Sequence, residues 1–432
     1  MAPAVRPKPT SIGPTSIGPT SIPSPRATRP LAGIGVLDVS TVVGGPYAAH
    51  LLADLGASVI KVEGPGGDAF RFSGPARVPG LGSAFTLINR DKRSIAVDLK
   101  TAQGRDVLRR LIGRADILLH NIRTPAARRI GLDYQAAKDA NPSIIHAHIV
   151  GYDTDGPYGD WAAYEDLIQA TAGAASLAAL SGDDARPRFL PTLIADKVSG
   201  HYAASAILAA LVARERFGTG AQIETPMLEC LAAFLLVEHF GAAVWTGAAD
   251  DFGYERMLKD ALRPFRTADG YIGILPYSDA HWQGLLVAIG RQELKDDARL
   301  ADHNARVQVL DDLYALIHEA TPGRTTAQWL DRLRANGVPA SPYNRFGDLL
   351  DDPHLRAVGF FQERHGAGLG PYRDVRTPVK FSGRARDDHA QPPRLGEHTI
   401  QILGEAGLSP DEIDRLVDDG VVKAPTAPVP GS

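Results

Sequence analysis

Cysteine is almost absent from this chain. Cys230 stands alone among 432 residues, which excludes an intramolecular disulfide framework and any cysteine-clustered zinc or iron–sulfur site and suits a reducing cytoplasm. Long apolar runs are missing too. Ala203 to Val212 and Leu231 to Val237 fall well short of the roughly 20 residues that a bilayer span needs, so no membrane partner is expected. Nor is there an excess of one charge. With 46 Lys plus Arg against 50 Asp plus Glu, the net charge of -4 gives no global positive field for nucleic acid or an anionic membrane, and any anionic ligand must be met by local groups.

Several catalytic signatures are also lacking: a Gly-x-Ser-x-Gly elbow, a phosphate-cradling Gly-x-x-x-x-Gly-Lys-Ser/Thr loop and a His-Glu-x-x-His zinc helix. Gly33, Gly35, Gly44 and Gly45 crowd the first strand and turn without forming Gly-x-Gly-x-x-Gly, which argues against tight dinucleotide binding. His146 and His148 share one face of a strand. No third ligand follows them at metal-site spacing, so they read as ordinary strand histidines and no metal is expected.

What the chain does hold is enough apolar material for large cores, 44% hydrophobic against 22% charged, and a length that favours two domains. Residues 10–22 reiterate Ser-Ile-Gly-Pro-Thr, and residues 1–30 read as a flexible leader with no continuous apolar core of the secretory kind. From Ile34 the pattern becomes regular. A short buried strand to Val39 meets Gly44-Gly45-Pro46, a good helix start, and Ala48, Leu51, Leu52 and Leu55 mark one helical face before Gly56 and a second strand over 58–63. Further strands are expected over 94–99, 116–122 and 143–150, with a helix over 101–114 between the first two. This alternation predicts an α/β fold with a doubly wound, mostly parallel, Rossmann-like sheet.

Helices are then expected over 164–180, 195–216 and 227–240, with a strand over 221–225 and helical stretches near 279–295 and 307–336. The character changes over 225–340, which reads as a smaller α+β domain. Residues 341–420 form a loop-rich return ending in a short helix at 410–418, and 421–432 read as a tail.

Asp196 falls where an irregular stretch around Leu190-Pro191-Thr192 becomes a long helix. There it has two readings, a common N-cap accepting backbone amides or a carboxylate kept ionised for nucleophilic work. Glu165 likewise reads as a first-turn glutamate favoured by a helix dipole or as a second carboxylate of a site.

A family likeness bears on that choice. The blocks Gly-Ile-Gly-Val-Leu-Asp-Val-Ser (33–40), Gly-Gly-Pro (44–46), Leu-Ala-Asp-Leu-Gly-Ala-Ser-Val-Ile-Lys-Val-Glu (52–63), Asn-Arg-Asp-Lys-Arg-Ser (89–94), Tyr164-Glu165 with Gln169-Ala170, Ala195-Asp196 with Gly200, and Leu-Gly-Glu-His-Thr (395–399) occur in order. In these the chain resembles the class III CoA-transferases, the group that contains formyl-CoA transferase, the carnitine CoA-transferases and α-methylacyl-CoA racemase. The resemblance spans Leu31 to about Asp419.

The resemblance implies a homodimer of interlocked rings, a large CoA-binding domain begun by residues 31–224, and no tightly bound cofactor, with a coenzyme A thioester as substrate. It implies Asp196 as nucleophile and Glu165 as a carboxylate of the same site. It further implies that Val43 and Gly44 lie near the thioester and that Lys92, Arg93, Asn121 and Arg129 hold coenzyme A. The implied reaction moves CoA from an acyl-CoA donor to a free carboxylic acid through an aspartyl-CoA thioester. Val43 stands where formyl-CoA transferase has glutamine, Gly64 where it has arginine near the adenine, and no four-glycine loop is found. Those departures point away from oxalate or formate. Racemisation on the same fold is the nearest rival, but Tyr164 occupies the place where the racemases carry histidine, and a phenol is a poor base at neutral pH. The remaining alternative is a CoA-ester binding protein without activity.

Overall fold

The computed structural model describes residues 29–177, 186–247, 252–258, 262–381 and 389–424. The leader up to residue 28, the end of the helix expected over 164–180 and tail residues 425–432 lie outside these.

The main sheet among the described residues is built on six parallel strands: β1 (Gly35–Asp38), β2 (Ser58–Glu63), β3 (Lys92–Val97), β4 (Ile117–His120), β5 (Ile145–Val150) and β6 (Ala221–Pro226). Their order in space is β3-β2-β1-β4-β5-β6, so the winding reverses between β1 and β4 and opens a crevice beyond their C-terminal ends. Helices α1 (Gly44–Asp54), α2 (Ser83–Ile88), α3 (Ala102–Ile112), α4 (Thr124–Ile130), α5 (Tyr134–Ala140), α6 (Glu165–Thr171), α7 (Ile194–Phe217) and α8 (Met227–His239) complete this part.

Alternation along β1 shows why both faces are covered. Val36 packs with Leu52, Ile207 and Leu231 of α1, α7 and α8, whereas its neighbour Leu37 packs with Val107, Leu108 and Leu111 of α3. Helix α6 is shorter than expected, because Gly173 at φ +80° turns the chain out of the helical path after Thr171.

The expected small domain is narrower in its packing than its 225–340 span. Helix α8 at the front of that span contributes Met227, Leu231 and Leu235 to the first core. A separate core begins near Leu262, where β7 (Phe265–Arg266), β8 (Tyr271–Ile274) and the later β9 (Ala340–Pro342) form an antiparallel sheet. Helices α9 (Asp279–Ile289), α10 (Leu310–Ala320) and α11 (Thr326–Ala335) pack Trp282, Leu285, Ile317, Trp329 and Leu333 against it. One helical stretch expected over 307–336 is two, since Pro322 ends the first and Thr325 caps the second through a capping box with Gln328.

The return segment adds a hairpin, β10 (Phe361–Gly366) with β11 (Gly370–Val375), and helices α12 (Thr399–Glu405) and α13 (Pro410–Asp418). Residues 421–424, grouped with the tail by sequence, include β12 (Val422–Lys423), which extends the main sheet antiparallel to β3.

The contact that sets the crevice geometry is α1 against α7. A Cβ added at Gly200 would stand 2.7 Å from the Gly44 carbonyl oxygen and 3.1 Å from Tyr47. Gly200→Ala is therefore expected to cost about 1–3 kcal/mol through overpacking of α1 on α7. A urea titration showing an unchanged midpoint contradicts the close approach.

Candidate active site

The crevice holds a cleft of about 470 Å³ lined by Thr41, Val42, Asn121, Arg123, Trp161, Tyr164, Glu165, Leu193 and Asp196, among others. Asp196 does not occupy the N-cap position expected for it. Leu193 is the N-cap residue of α7, Asp196 sits two residues inside the helix start, and its Oδ1 accepts the Gly44 amide of α1 at 3.1 Å. Two helix N-termini thus meet at one carboxylate.

The capping role belongs to Glu165. From the first position of α6 its Oε1 accepts the Ala195 amide at 3.0 Å and its Oε2 the Asp196 amide at 2.9 Å, so the free donors of α7 go to Glu165. Gln169, 1% exposed, holds Glu165 in place. Its Nε2 donates to Glu165 Oε1 at 2.8 Å while its Oε1 accepts the Leu190 amide at 2.8 Å.

This division of donors overturns the expectation that the helix amides strongly favour ionised Asp196. Burial, followed by the Glu165 charge, pushes the Asp196 carboxyl up to about 6, and the single Gly44 amide pulls in the opposite direction. At pH 7 the group is still ionised, but it is poorly solvated and poorly bonded, a state suited to nucleophilic attack.

The other expected site residues separate. Val43 and Gly44 are buried at the start of α1, where Val43 is the N-cap residue. Asn121 lines the cleft and clamps the Thr41 backbone, its Oδ1 accepting the Thr41 amide and its Nδ2 donating to the Thr41 carbonyl, both at 2.9 Å. Lys92, by contrast, is fully enclosed. Its ammonium group donates to Asp38 at 3.0 Å, the Pro46 carbonyl at 2.8 Å and Asn89 at 2.8 Å, which uses all three N–H bonds and leaves none for a phosphate. Burial, opposed by Asp38, lowers it to about 8.

Arg93 sits at the start of β3 and pairs with Glu405 at 2.7 Å, beside Gly35 and Ser58 at the N-terminal edge of the sheet. That is the edge opposite Asp196. Arg129 is exposed in the last turn of α4 and is not among the residues lining the cleft.

His146 and His148 gain a third ring from the neighbouring strand that spacing along the chain did not reveal. His120 Nε2 lies 3.1 Å from His146 Nε2 and the His120 ring stacks on His148 at 4.1 Å. Burial lowers all three, His148 to about 4, and His148 and His146 are bonded to the Ile122 and Leu132 carbonyls. Sequence reasoning missed Gln169 as the support of Glu165 and missed Val42, Arg123 and Trp161 as cleft residues. Gln169 alone carried a signal, its place one helical turn after Glu165.

Residues 31–399 match the model of CoA-transferase family III. A probable fatty acyl-CoA transferase of Mycobacterium tuberculosis is 33% identical, over 88% of this chain and 99% of its own length. A succinate–glutarate CoA-transferase of Agrobacterium fabrum is 32% identical over 88% and 96%. The crystal structure of a CAIB/BAIF family protein from Brucella suis superposes with a TM-score of 0.74 at 32% identity, covering 87% of this chain and 99% of that one.

A raised carboxyl has a thermodynamic signature. The folded pKa of Asp196, about 6, exceeds the ordinary aspartate value of 3.8, so the native state holds the proton more tightly and stability declines as pH rises from about 4 to about 6. Asp196→Asn removes that penalty. Denaturation above pH 6 is expected to show the variant more stable by up to about 3 kcal/mol, with the gain vanishing near pH 4, and equal stability at pH 7 contradicts the assignment.

Proposed function

The chain belongs to CoA-transferase family III, and from that premise we propose that it is a cytoplasmic acyl-CoA:carboxylate CoA-transferase working through a covalent aspartyl-CoA thioester on Asp196. The observation that carries this reading is the placement of Asp196: its carboxylate lies in the cleft, ionised at neutral pH yet bonded, among the described residues, by one amide only.

Asp196 Oδ2 attacks the thioester carbon of the donor, and the C–S bond breaks to give a mixed anhydride and CoA thiolate. The thiolate then attacks the aspartyl carbon, forms the aspartyl-CoA thioester and expels the donor acid as its carboxylate. An acceptor carboxylate attacks that thioester, expelling CoA thiolate and forming a second anhydride. The thiolate finally attacks the acceptor's carbonyl, giving the new acyl-CoA and restoring Asp196. Charge and protons balance throughout without a metal or redox group.

Gly44 has a part in two of these steps. When the aspartyl carbon becomes tetrahedral, Oδ1 carries the negative charge, and the amide already bonded to Oδ1 stabilises it. Glu165 remains fixed by α7 and Gln169, so it acts by field and position. His148, the histidine lining the cleft, is held near 4 and is a weak base, which favours transfer over racemisation.

Assembly as a homodimer fits the surface of α8 and its flank. Phe234, Val237, Phe240, Val244 and Trp245 are exposed, Val237 to 85%, in one stretch of chain, and large apolar side chains grouped on a surface are the usual material of an interface. Val237→Glu is expected to move the protein from dimer to monomer in light scattering, and a dimer of unchanged dissociation constant places the interface elsewhere.

The activity is tested by incubating the enzyme with acyl-CoAs and free acids and following CoA exchange by mass spectrometry. Asp196→Ala is expected to lower exchange by at least about 1,000-fold, and the wild-type rate is expected to fall as pH drops through about 6, as Asp196 takes up its proton. Undiminished exchange in the variant removes Asp196 as nucleophile. Solvent deuterium entering the α-carbon without exchange shows epimerisation instead.

A further inference from the structure

The loop between β1 and α1 carries the Gly44 amide, and it passes through a conformation that its own sequence resists. Val42 has φ +67°, the left-handed region that a β-branched side chain rarely enters. Its side chain is 43% exposed and lines the cleft, so no packing against the core holds it there. A backbone of this kind persists only where its surroundings over-determine it.

The restraint comes from Asp68. This residue is 2% exposed, and its carboxylate accepts the Val42 amide through Oδ1 at 3.1 Å and Oδ2 at 3.2 Å. Asp68 is itself fixed on every side. Lys61, fully buried, stands 2.9 Å from Oδ2, the Phe70 amide donates to Oδ1 at 3.0 Å, and the Asp68 amide donates to Glu63 Oε1 at 3.0 Å. Glu63 is locked in turn by the Arg71 guanidinium at 2.7 and 2.6 Å and by the Ser94 hydroxyl at 2.8 Å. Lys61 also donates to the Ser40 carbonyl at 3.0 Å, so the loop is held at Ser40, at Thr41 by Asn121 and at Val42 by Asp68 before it reaches Gly44.

We infer that Asp68 is a positioning residue for the reaction: by binding the Val42 amide it keeps Val42 left-handed and so delivers the Gly44 amide to Asp196. Asp68 is absent from the cleft lining and acts only through this loop. The inference rests on the aspartyl-CoA reading for its catalytic consequence but not for its structural content, and the two are tested apart.

In Asp68→Asn a single carbonyl oxygen replaces two, and Lys61 and the Val42 amide compete for it. With the full-length protein and an acyl-CoA and acid pair that the wild type exchanges, the variant is expected to lose about 10- to 100-fold in kcat, as for a misaimed oxyanion donor, while KM for the acyl-CoA changes less than about 3-fold. Val42→Gly added to Asp68→Asn is expected to recover at least about 5-fold of that loss, because glycine enters the left-handed region without strain. A purely structural role for Asp68 predicts no such recovery.

If Asp68→Asn is recovered unfolded, Lys61→Met with Asp68→Asn removes the stranded buried charge and carries the same comparison. Amide hydrogen exchange over residues 41–45 gives a second readout that needs no substrate, with faster exchange expected in the variant. The inference falls if kcat stays within about 2-fold, if the added Val42→Gly recovers nothing, or if exchange over 41–45 is unchanged. Absence of any wild-type CoA exchange defeats the aspartyl-CoA reading alone, and the hydrogen-exchange comparison then decides the clamp.

Discussion

One hydrogen bond ties the architecture to its chemistry, that from the Gly44 amide to Asp196 Oδ1. It exists because α1 and α7 approach so closely that glycine is required at the contact, with Gly200 facing the Gly44 carbonyl. Helix α1 leaves the end of β1 at the place where the sheet reverses its winding, and α7 packs on the same face of the sheet. The bond therefore reports the register of two long elements. A shift of either removes the Gly44 amide from Asp196 Oδ1.

Around that bond the electrostatics are arranged by subtraction. A helix start ordinarily favours an anion, and α7 would do so for Asp196 if its amides were free. Glu165 takes the amides of Ala195 and Asp196 instead, and it brings a like charge. Asp196 is thereby left with burial and repulsion on one side and a single amide on the other, which raises its carboxyl without keeping it protonated at pH 7. Much of what raises the Asp196 carboxyl is bonding that it does not have.

Beneath the loop before α1 lies a row of buried charges that alternates in sign: Asp68, Lys61, Asp38 and Lys92. Lys61 meets Asp68 at 2.9 Å and Lys92 meets Asp38 at 3.0 Å, all with enclosed side chains. Burial alone pushes the Asp38 carboxyl up, but Lys92 and Lys61 outweigh it and hold the group low. Replacing such a row with apolar residues would cost little in stability on general grounds, so its value is directional. Each member also holds loop backbone or a neighbour that does: Lys61 the Ser40 carbonyl, Lys92 the Pro46 carbonyl and Asp68 the Val42 amide.

Local pattern was enough for the main sheet with its flanking helices and for the positions of the two carboxylates. Alternating strands, the Gly44-Gly45-Pro46 helix start and Gly56 at the end of that helix depend on neighbours a few residues apart, so β1, α1, β2 and α7 stand close to where periodicity puts them. Asp196 and Glu165 were legible as blocks of family likeness, and the cleft holds both. Their roles were not legible, since capping is an exchange between α6 and α7, and spacing placed Asp196 at the cap that Glu165 fills. Lys92 and Arg93 show the same limit: adjacent residues of β3 point to opposite faces, one into a carboxylate and two carbonyl-type oxygens, the other toward Glu405 at the far edge. His120 joins His146 and His148 only because β4 and β5 are neighbours. The sequence by itself determined the α/β class, the family and the presence of two carboxylates that the fold brings to one cleft. Which carboxylate caps, which lysine is enclosed and which amide meets Asp196 were decided by tertiary structure, because hydrogen-bond donors are allotted by distances between elements that lie far apart along the chain.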